Sequence, residues 1–195
     1  AIRKSSSRAY LKDPRIHFIE LDLGNPEKLK AQLHGHHFDY VIHAAGATKC
    51  LHRNDFFRVN TLGTQHLVEA LRQQEKPIER FVFISSLSVF GAIKEQRPYA
   101  DICDDDIPQP STAYGQSKLE CEQMLDRQEG FPYIILRPTG VYGPREKDYF
   151  MMAKSIKGHV DFAAGYKQQT LTFIYVLDVV QAIFLALDHG QTGGK

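Results

Sequence analysis

Short apolar runs of strand length alternate along this chain with segments whose apolar residues recur every three to four positions. Residues 16–21 (Ile-His-Phe-Ile-Glu-Leu) and 38–43 (Phe-Asp-Tyr-Val-Ile-His) read as strands. Between them, Asn25 and Pro26 supply an N-cap and a first-position proline, opening a helix to about His34. Residues 54–74 put Phe56, Val59, Gly63, Leu67, Ala70 and Leu71 on one helical face. Residues 80–85 (Arg-Phe-Val-Phe-Ile-Ser) have the composition of a buried strand, 113–128 are helical, and 133–137 are a strand again. Asp178 is placed to cap a last helix, with Gln181 at the capping-box position and Ile183 and Leu187 further along it. Strand–helix alternation without hairpin signals predicts an α/β chain with a doubly wound parallel sheet. Ligands of such sheets gather at the carboxyl ends of the strands.

The stretch 91–112 breaks this rhythm, with Pro98, Asp101, Asp104 to Asp106, Pro108 and Pro110 and little periodicity. A long irregular connection inside a compact domain is functional or mobile, and its acidic run reads as solvated surface. Among 195 residues, 43% are apolar, and 24 Lys and Arg balance 23 Asp and Glu. That supports a real core and leaves no field directed at nucleic acid or an anionic membrane. Cys50, Cys103 and Cys121 are far apart, which argues against a disulfide framework or a metal site and for a cytoplasmic protein. His34, His36 and His37 sit at a predicted helix end, where they suit the dipole, and no metal is expected there. No apolar stretch approaches the roughly 18 residues of a membrane span. The opening at Ala1 without a methionine, and the close at Gly193-Gly194-Lys195, read as a segment of a longer protein.

The candidate chemistry lies in Tyr114-Gly-Gln-Ser-Lys118, whose tyrosine and lysine share one helical face a turn apart. An ammonium near a phenol favours the phenolate and lowers its pKa from about 10. Such a phenol can protonate a carbonyl or deprotonate an alcohol as hydride moves. Around it in sequence stand Ser85-Ser86-Leu87-Ser88 after a buried strand, His43-Ala44-Ala45-Gly46 after another, and Asp22-Leu23 after a third. The small residues let backbone approach a ligand closely.

With these stretches, Val59 to Thr64, Phe81 to Gly91, Arg137-Pro138-Thr139-Gly140-Val141-Tyr142-Gly143-Pro144 and Phe173 to Asp178, the chain resembles the extended short-chain dehydrogenases/reductases, the NAD-dependent epimerase/dehydratase group. The resemblance implies a Rossmann-like sheet that here lacks the first strand and glycine-rich loop, followed by part of a small C-terminal substrate lobe. It makes residues 1–143 an N-terminally incomplete dinucleotide-binding domain, and 144–195 a partial substrate-binding region interleaved with the last sheet elements. It makes Tyr114 the catalytic acid/base, Lys118 its pKa-lowering and ribose-binding partner, and Ser86 the group that bonds the substrate oxygen. Asp22 and Leu23 would flank the adenine. Ala44, Ala45 and Gly46 would line the phosphates and ribose, with Thr48 nearby and Ser85 on the cofactor side. Pro138, Thr139 and Val141 would pack on the nicotinamide, while Asn60 and Asp178 would brace the fold.

Arg3-Lys4-Ser5-Ser6-Ser7-Arg8 falls where the resemblance places the contact with the cofactor's ribose. Its cations and hydroxyls suit a 2′-phosphate, so NADP is preferred over NAD, with Arg3 as principal contact. Leu87 and Ser88 stand where related sugar dehydratases carry an acidic pair, which argues against dehydration. Gly140 stands where many nucleotide-sugar enzymes place an asparagine. The expected function is therefore an NAD(P)-dependent oxidoreductase acting on a hydroxy or keto compound. The alternatives are a nucleotide-sugar epimerase with retained NAD and a non-catalytic dinucleotide-binding protein. A homodimer through the helices of 54–74 and 114–128 is a further expectation from the resemblance.

Overall fold

The computed structural model describes residues 1–94, 100–160 and 171–189. Pro98 and the closing Gly193-Gly194-Lys195 lie outside the described residues. Three parallel strands, β1 (Tyr40–His43), β2 (Arg80–Ile84) and β3 (Tyr133–Leu136), form the central sheet in that order. Their registers pair Ile42 with Val82, and Val82 with Ile134. Parallel neighbours need long crossovers, and here these are helical. Helices α2 (Arg53–Phe56) and α3 (Gly63–Arg72) lie between β1 and β2, and α4 (Ala113–Asp126) lies between β2 and β3.

Alternation along the strands divides the core between two faces. Phe81, Phe83, Tyr133 and Ile135 point to one side, where α1 (Pro26–Leu33) brings Leu29 and Leu33, α3 brings Leu67, Val68 and Leu71, and α4 brings Met124 and Leu125. Val82 and Ile134 point the other way, against Ala186, Ile183 and Leu187 of α6 (Val176–His189). Helices therefore cover both faces, as a doubly wound sheet requires. A two-stranded parallel ribbon, β4 (Gly140–Tyr142) with β5 (Phe173–Tyr175), and a helix α5 (Asp148–Lys157) stand beyond the sheet.

Four expectations change in detail. Residues 16–21 form no strand: one parallel bridge, Ile2 to Glu20, is made, flanked by hydrogen bonds from Ile2 N to Ile19 O and from Leu21 N to Ile2 O. One rung is too few to propagate a ladder. Asp178 is not the cap of the last helix, because β5 runs directly into α6 and puts Asp178 inside its first turn. The acid is still well placed for the dipole there. The run 54–74 is not one α-helix, since Phe57–Leu62 is a π-helical segment. Its wider turns shift the buried face by one residue, leaving Val59 42% exposed and burying Asn60 instead. Finally, Asp106 is not merely solvated surface: it pairs with Lys94 at 2.6 Å and accepts from Cys103 N at 2.7 Å, while Asp104 and Asp105 are exposed.

Candidate active site

Tyr114 and Lys118 both lie in the first turns of α4. Thr112 caps that helix by accepting from Gly115 N at 3.0 Å. A Cβ on Gly115 would come within 2.3 Å of Ser88 O, so the glycine lets α4 press directly on the turn Leu87–Val89 that follows β2. This close approach brings Ser86 near enough to the Tyr114 phenol to influence its acidity. Ser86 also accepts from Ser88 N at 3.2 Å and lies 3.1 Å from the Ser88 hydroxyl, which fixes its rotamer. The Phe56 ring meets Tyr114 edge-on at 6.3 Å.

The electrostatics differ from the expectation. Burial raises the Tyr114 phenol above its usual range, and the Ser86 hydrogen bond opposes that rise. Burial also lowers Lys118 from the usual lysine range. Its ammonium donates to Ile84 O at 2.8 Å and sits 4.7 Å from the Phe83 ring centroid. The net lowering of the phenol by a nearby cation is thus not what this geometry produces, because desolvation is the larger influence.

Lys118 also reaches the end of β1. A Cβ on Gly46 would stand 3.4 Å from Lys118 Nζ and 3.2 Å from Asn60 Oδ1, so the glycine keeps backbone against the ammonium. Ala44, Ala45, Gly46 and Thr48 are exposed there, at the carboxyl end of the sheet. Asn60 fixes the loop by accepting from Ala47 N at 2.7 Å and donating to Ala47 O at 3.1 Å. Its amide also donates to Ser117 Oγ at 2.9 Å, and Ser117 in turn donates to Tyr114 O at 2.8 Å. Asn60 therefore ties the loop after β1 to the helix that carries Tyr114. The role of Ser117 was missed in sequence, although a small hydroxyl three residues after the tyrosine is a usable signal.

The other expected residues are distributed around this centre. Ser85 is buried at the end of β2, and its hydroxyl lacks a hydrogen-bond partner among the described residues. The Pro138 carbonyl accepts from Leu87 N at 2.9 Å, which holds the segment after β3 beside the turn Leu87–Val89. The Thr139 hydroxyl donates to Thr172 O at 2.8 Å, and Val141 pairs with Ile174 in the ribbon. Asp22 is partly buried; it accepts from Gly24 N and pairs with Lys28 at 3.3 Å. Leu23 packs on the main core, and its carbonyl lies 2.8 Å from His66 Nδ1. Arg3 is exposed in a turn, its N–H bonded to Ser6 Oγ at 3.1 Å. Leu87 packs against the cluster of Val89, Phe90 and Leu119. Among the described residues no group of acids, histidines and cysteines could hold a metal. None of the described helices is long and apolar enough to cross a membrane.

Comparison with known proteins places the chain in a family. The family described as NAD dependent epimerase/dehydratase matches residues 1–195. The human dTDP-D-glucose 4,6-dehydratase is 29% identical over 188 residues, which are 90% of this chain and 52% of that protein. The mouse sterol-4-alpha-carboxylate 3-dehydrogenase, decarboxylating, is 28% identical over 200 residues, 94% of this chain and 52% of that protein. Among solved structures, RMD from Pseudomonas aeruginosa complexed with NADPH superposes with a TM-score of 0.74 at 29% identity, over 89% of this chain and 63% of that one. The Thermus thermophilus UDP-glucose 4-epimerase complex with NAD gives 0.76 at 25% identity, over 92% of this chain and 62% of that one. The chain spans about half the length of the curated relatives it matches.

Proposed function

Since the chain belongs to the NAD-dependent epimerase/dehydratase family, we propose that it carries the catalytic centre of an NAD(P)-dependent oxidoreductase acting on a carbonyl or a secondary alcohol. The observation that carries this reading is the close seating of α4 on the turn after β2, with Gly115 against Ser88 O, which sets Tyr114 near Ser86 at the carboxyl end of the sheet and one helical turn from Lys118.

The residues present fit the nicotinamide-ribose half of a dinucleotide. Gly46 keeps backbone beside the Lys118 ammonium, and Ala44 and Ala45 leave an open ledge of small side chains. Lys118 would hold the ribose hydroxyls, with Thr48 near the phosphates and ribose; Ser85, Pro138, Thr139 and Val141 would border the ring side, and Asp22 and Leu23 the adenine. Arg3 favours NADP, and NAD is the alternative. Bound there, a nicotinamide dinucleotide supplies hydride for carbonyl reduction and accepts it in alcohol oxidation.

Ser86 donates a hydrogen bond to the substrate oxygen and polarises it. Tyr114, kept protonated by burial, passes its phenolic proton to that oxygen in reduction and takes one back in oxidation. We assign 1–143 to dinucleotide binding and 144–195 to substrate binding. The interleaving is supported by α6, which follows the ribbon in sequence but packs on the central sheet. A cytoplasmic homodimer is part of the same reading, supported by exposed Val59 and Leu62 on the outer face of the π-helical segment.

The test is NADPH oxidation by the protein over a carbonyl panel. Tyr114→Phe is expected to cut turnover by roughly 10²–10⁴ while leaving NADPH affinity unchanged. Unchanged turnover would overturn the mechanism. The epimerase reading draws on the likeness to the NAD-bound epimerase, and interconversion of sugar epimers without net redox would favour it. NADPH binding without turnover on any substrate would favour a non-catalytic role.

A further inference from the structure

The helical run that passes from the π-helical segment into α3 grips two separate loops with residues spaced three apart. Asn60 bonds both the N–H and the carbonyl of Ala47, in the loop after β1. Gly63 lies against Leu23, where an added Cβ would stand 3.4 Å from Leu23 Cβ. His66 Nδ1 is 2.8 Å from Leu23 O, and because a carbonyl only accepts, the ring carries a proton on Nδ1.

The turn that His66 reaches takes its own shape from other contacts. Asn25 N donates to Asp22 O at 3.2 Å and closes it, while Gln32 Oε1 of α1 accepts from Asp22 N at 3.0 Å. Asp22 Oδ1 accepts from Gly24 N at 3.2 Å, and Lys28 of α1 holds Oδ2 at 3.3 Å. These bonds fix the turn and seat it on α1, and none of them reaches the loop after β1. A helix has a fixed rise per residue, so the run from Asn60 to His66 is a spacer of set length between Ala47 and Leu23. Those are the two places beside which the ribose-phosphate and adenine ends of a dinucleotide are assigned above.

We propose that His66 is a positioning residue for the dinucleotide. Its hydrogen bond to Leu23 O holds the turn Asp22–Asn25 at a set distance from the ledge Ala44–Gly46, so that both halves of one cofactor are held at once. The inference rests on the cofactor site of the oxidoreductase reading and adds to it a residue that touches neither half. Two linked ligands gain over separate ones only where the spacing of their sites matches the linker, here a pyrophosphate. Loss of His66 is therefore felt by the whole dinucleotide and not by a half of it.

Calorimetric titration of the protein with NADPH, and separately with adenosine 2′,5′-bisphosphate, tests this. His66→Leu removes the donor and should weaken NADPH about tenfold while leaving the bisphosphate within about twofold. His66→Asn, whose amide can donate from nearly the same place, should restore NADPH binding. Circular dichroism checks that each variant is folded, and His66→Ala is read in the same way if the leucine variant is not. Equal losses for both ligands, NADPH binding indifferent to loss of the donor, or no recovery in His66→Asn would overturn the proposal. The two readings fail separately. NADPH binding that follows His66 in this way, without turnover of any carbonyl, keeps the positioning role and removes the oxidoreductase. Carbonyl reduction abolished by Tyr114→Phe, with NADPH affinity unmoved by His66→Leu, does the reverse. A native chain that binds no NADPH would overturn both.

Discussion

Glu122 and Arg137 meet in a two-pronged ion pair inside the fold, with Arg137 Nε donating to Glu122 Oε1 at 2.9 Å and Nη2 to Oε2 at 2.6 Å. Glu122 is fully buried in α4, and the guanidinium lies 4.9 Å from the Phe90 ring centroid. The pair fastens α4 to the residue just before Pro138. Glu122→Ala leaves a largely buried guanidinium unpaired and is expected to cost about 3–5 kcal/mol, read from urea unfolding. Replacing both residues with apolar side chains of similar volume should recover most of that loss. A single substitution costing under about 1 kcal/mol would contradict this picture.

Gly115 has a steric role in the Tyr-x-x-x-Lys segment. Because a Cβ there would meet Ser88 O at 2.3 Å, Gly115→Ala must move α4 off the turn Leu87–Val89. The expected result is a stability loss of about 1–3 kcal/mol together with a larger fall in kcat, since Tyr114 leaves Ser86. An alanine variant with normal kinetics would show that the two elements can separate without harm.

In the proposed mechanism Ser86 acts on Tyr114 as well as on substrate. Its hydrogen bond opposes the upward push that burial gives the phenol, so Ser86→Ala should raise the phenol further. In the alcohol-oxidising direction, the alkaline rise of kcat/KM should therefore move to higher pH. A pH–rate profile that merely drops in height, with its limb unmoved, would confine Ser86 to substrate binding.

His43 links acid stability to the site's inner wall. The Thr64 hydroxyl donates to Asn60 O at 2.6 Å, so at 2.8 Å it must accept from His43 Nε2, which assigns the neutral ring its proton. Burial first, and the Lys118 charge second, hold the imidazole down at about 4 against an ordinary value of 6.5. Between those values the unfolded chain binds a proton that the folded chain refuses. Stability from this group is thus complete above about pH 6.5 and is lost as pH falls toward 4, by a total on the order of 3 kcal/mol. Urea midpoints at neutral pH and near pH 4.5 should diverge in the native sequence and converge in His43→Gln.

The doubly wound architecture was readable because β2 and β3 are apolar on both faces and α3, in the crossover before β2, carries strong helical periodicity. That Tyr114, Lys118 and Ser86 stand near one another was readable because Ser86 follows β2 and the other two lie in the first turns of α4. Other features left no such trace. β4 and β5 are three residues each, too short for an alternating pattern to register. His66 matters through contact with Leu23 O, which only folding brings near it. Residues 16–21 have strand composition, yet pairing depends on a neighbour, and Ile2 offers a single rung. The phenol's raised pKa was missed because spacing reveals the lysine next door and not the burial of the ring.

The π-helical segment Phe57–Leu62 carries a consequence for the kind of variation this chain tolerates. Its widened turns accommodate one residue more than α-helical winding would, and that extra residue is what turns Asn60 inward toward Ala47 and Ser117. Substitution at its outward positions, such as Arg58, keeps the winding and its reach. Loss of a single residue would let the helix close up into ordinary α geometry, more regular in its hydrogen bonds, and would swing the asparagine away from the loop that it holds. In this stretch the length of the chain is more constrained than its chemistry.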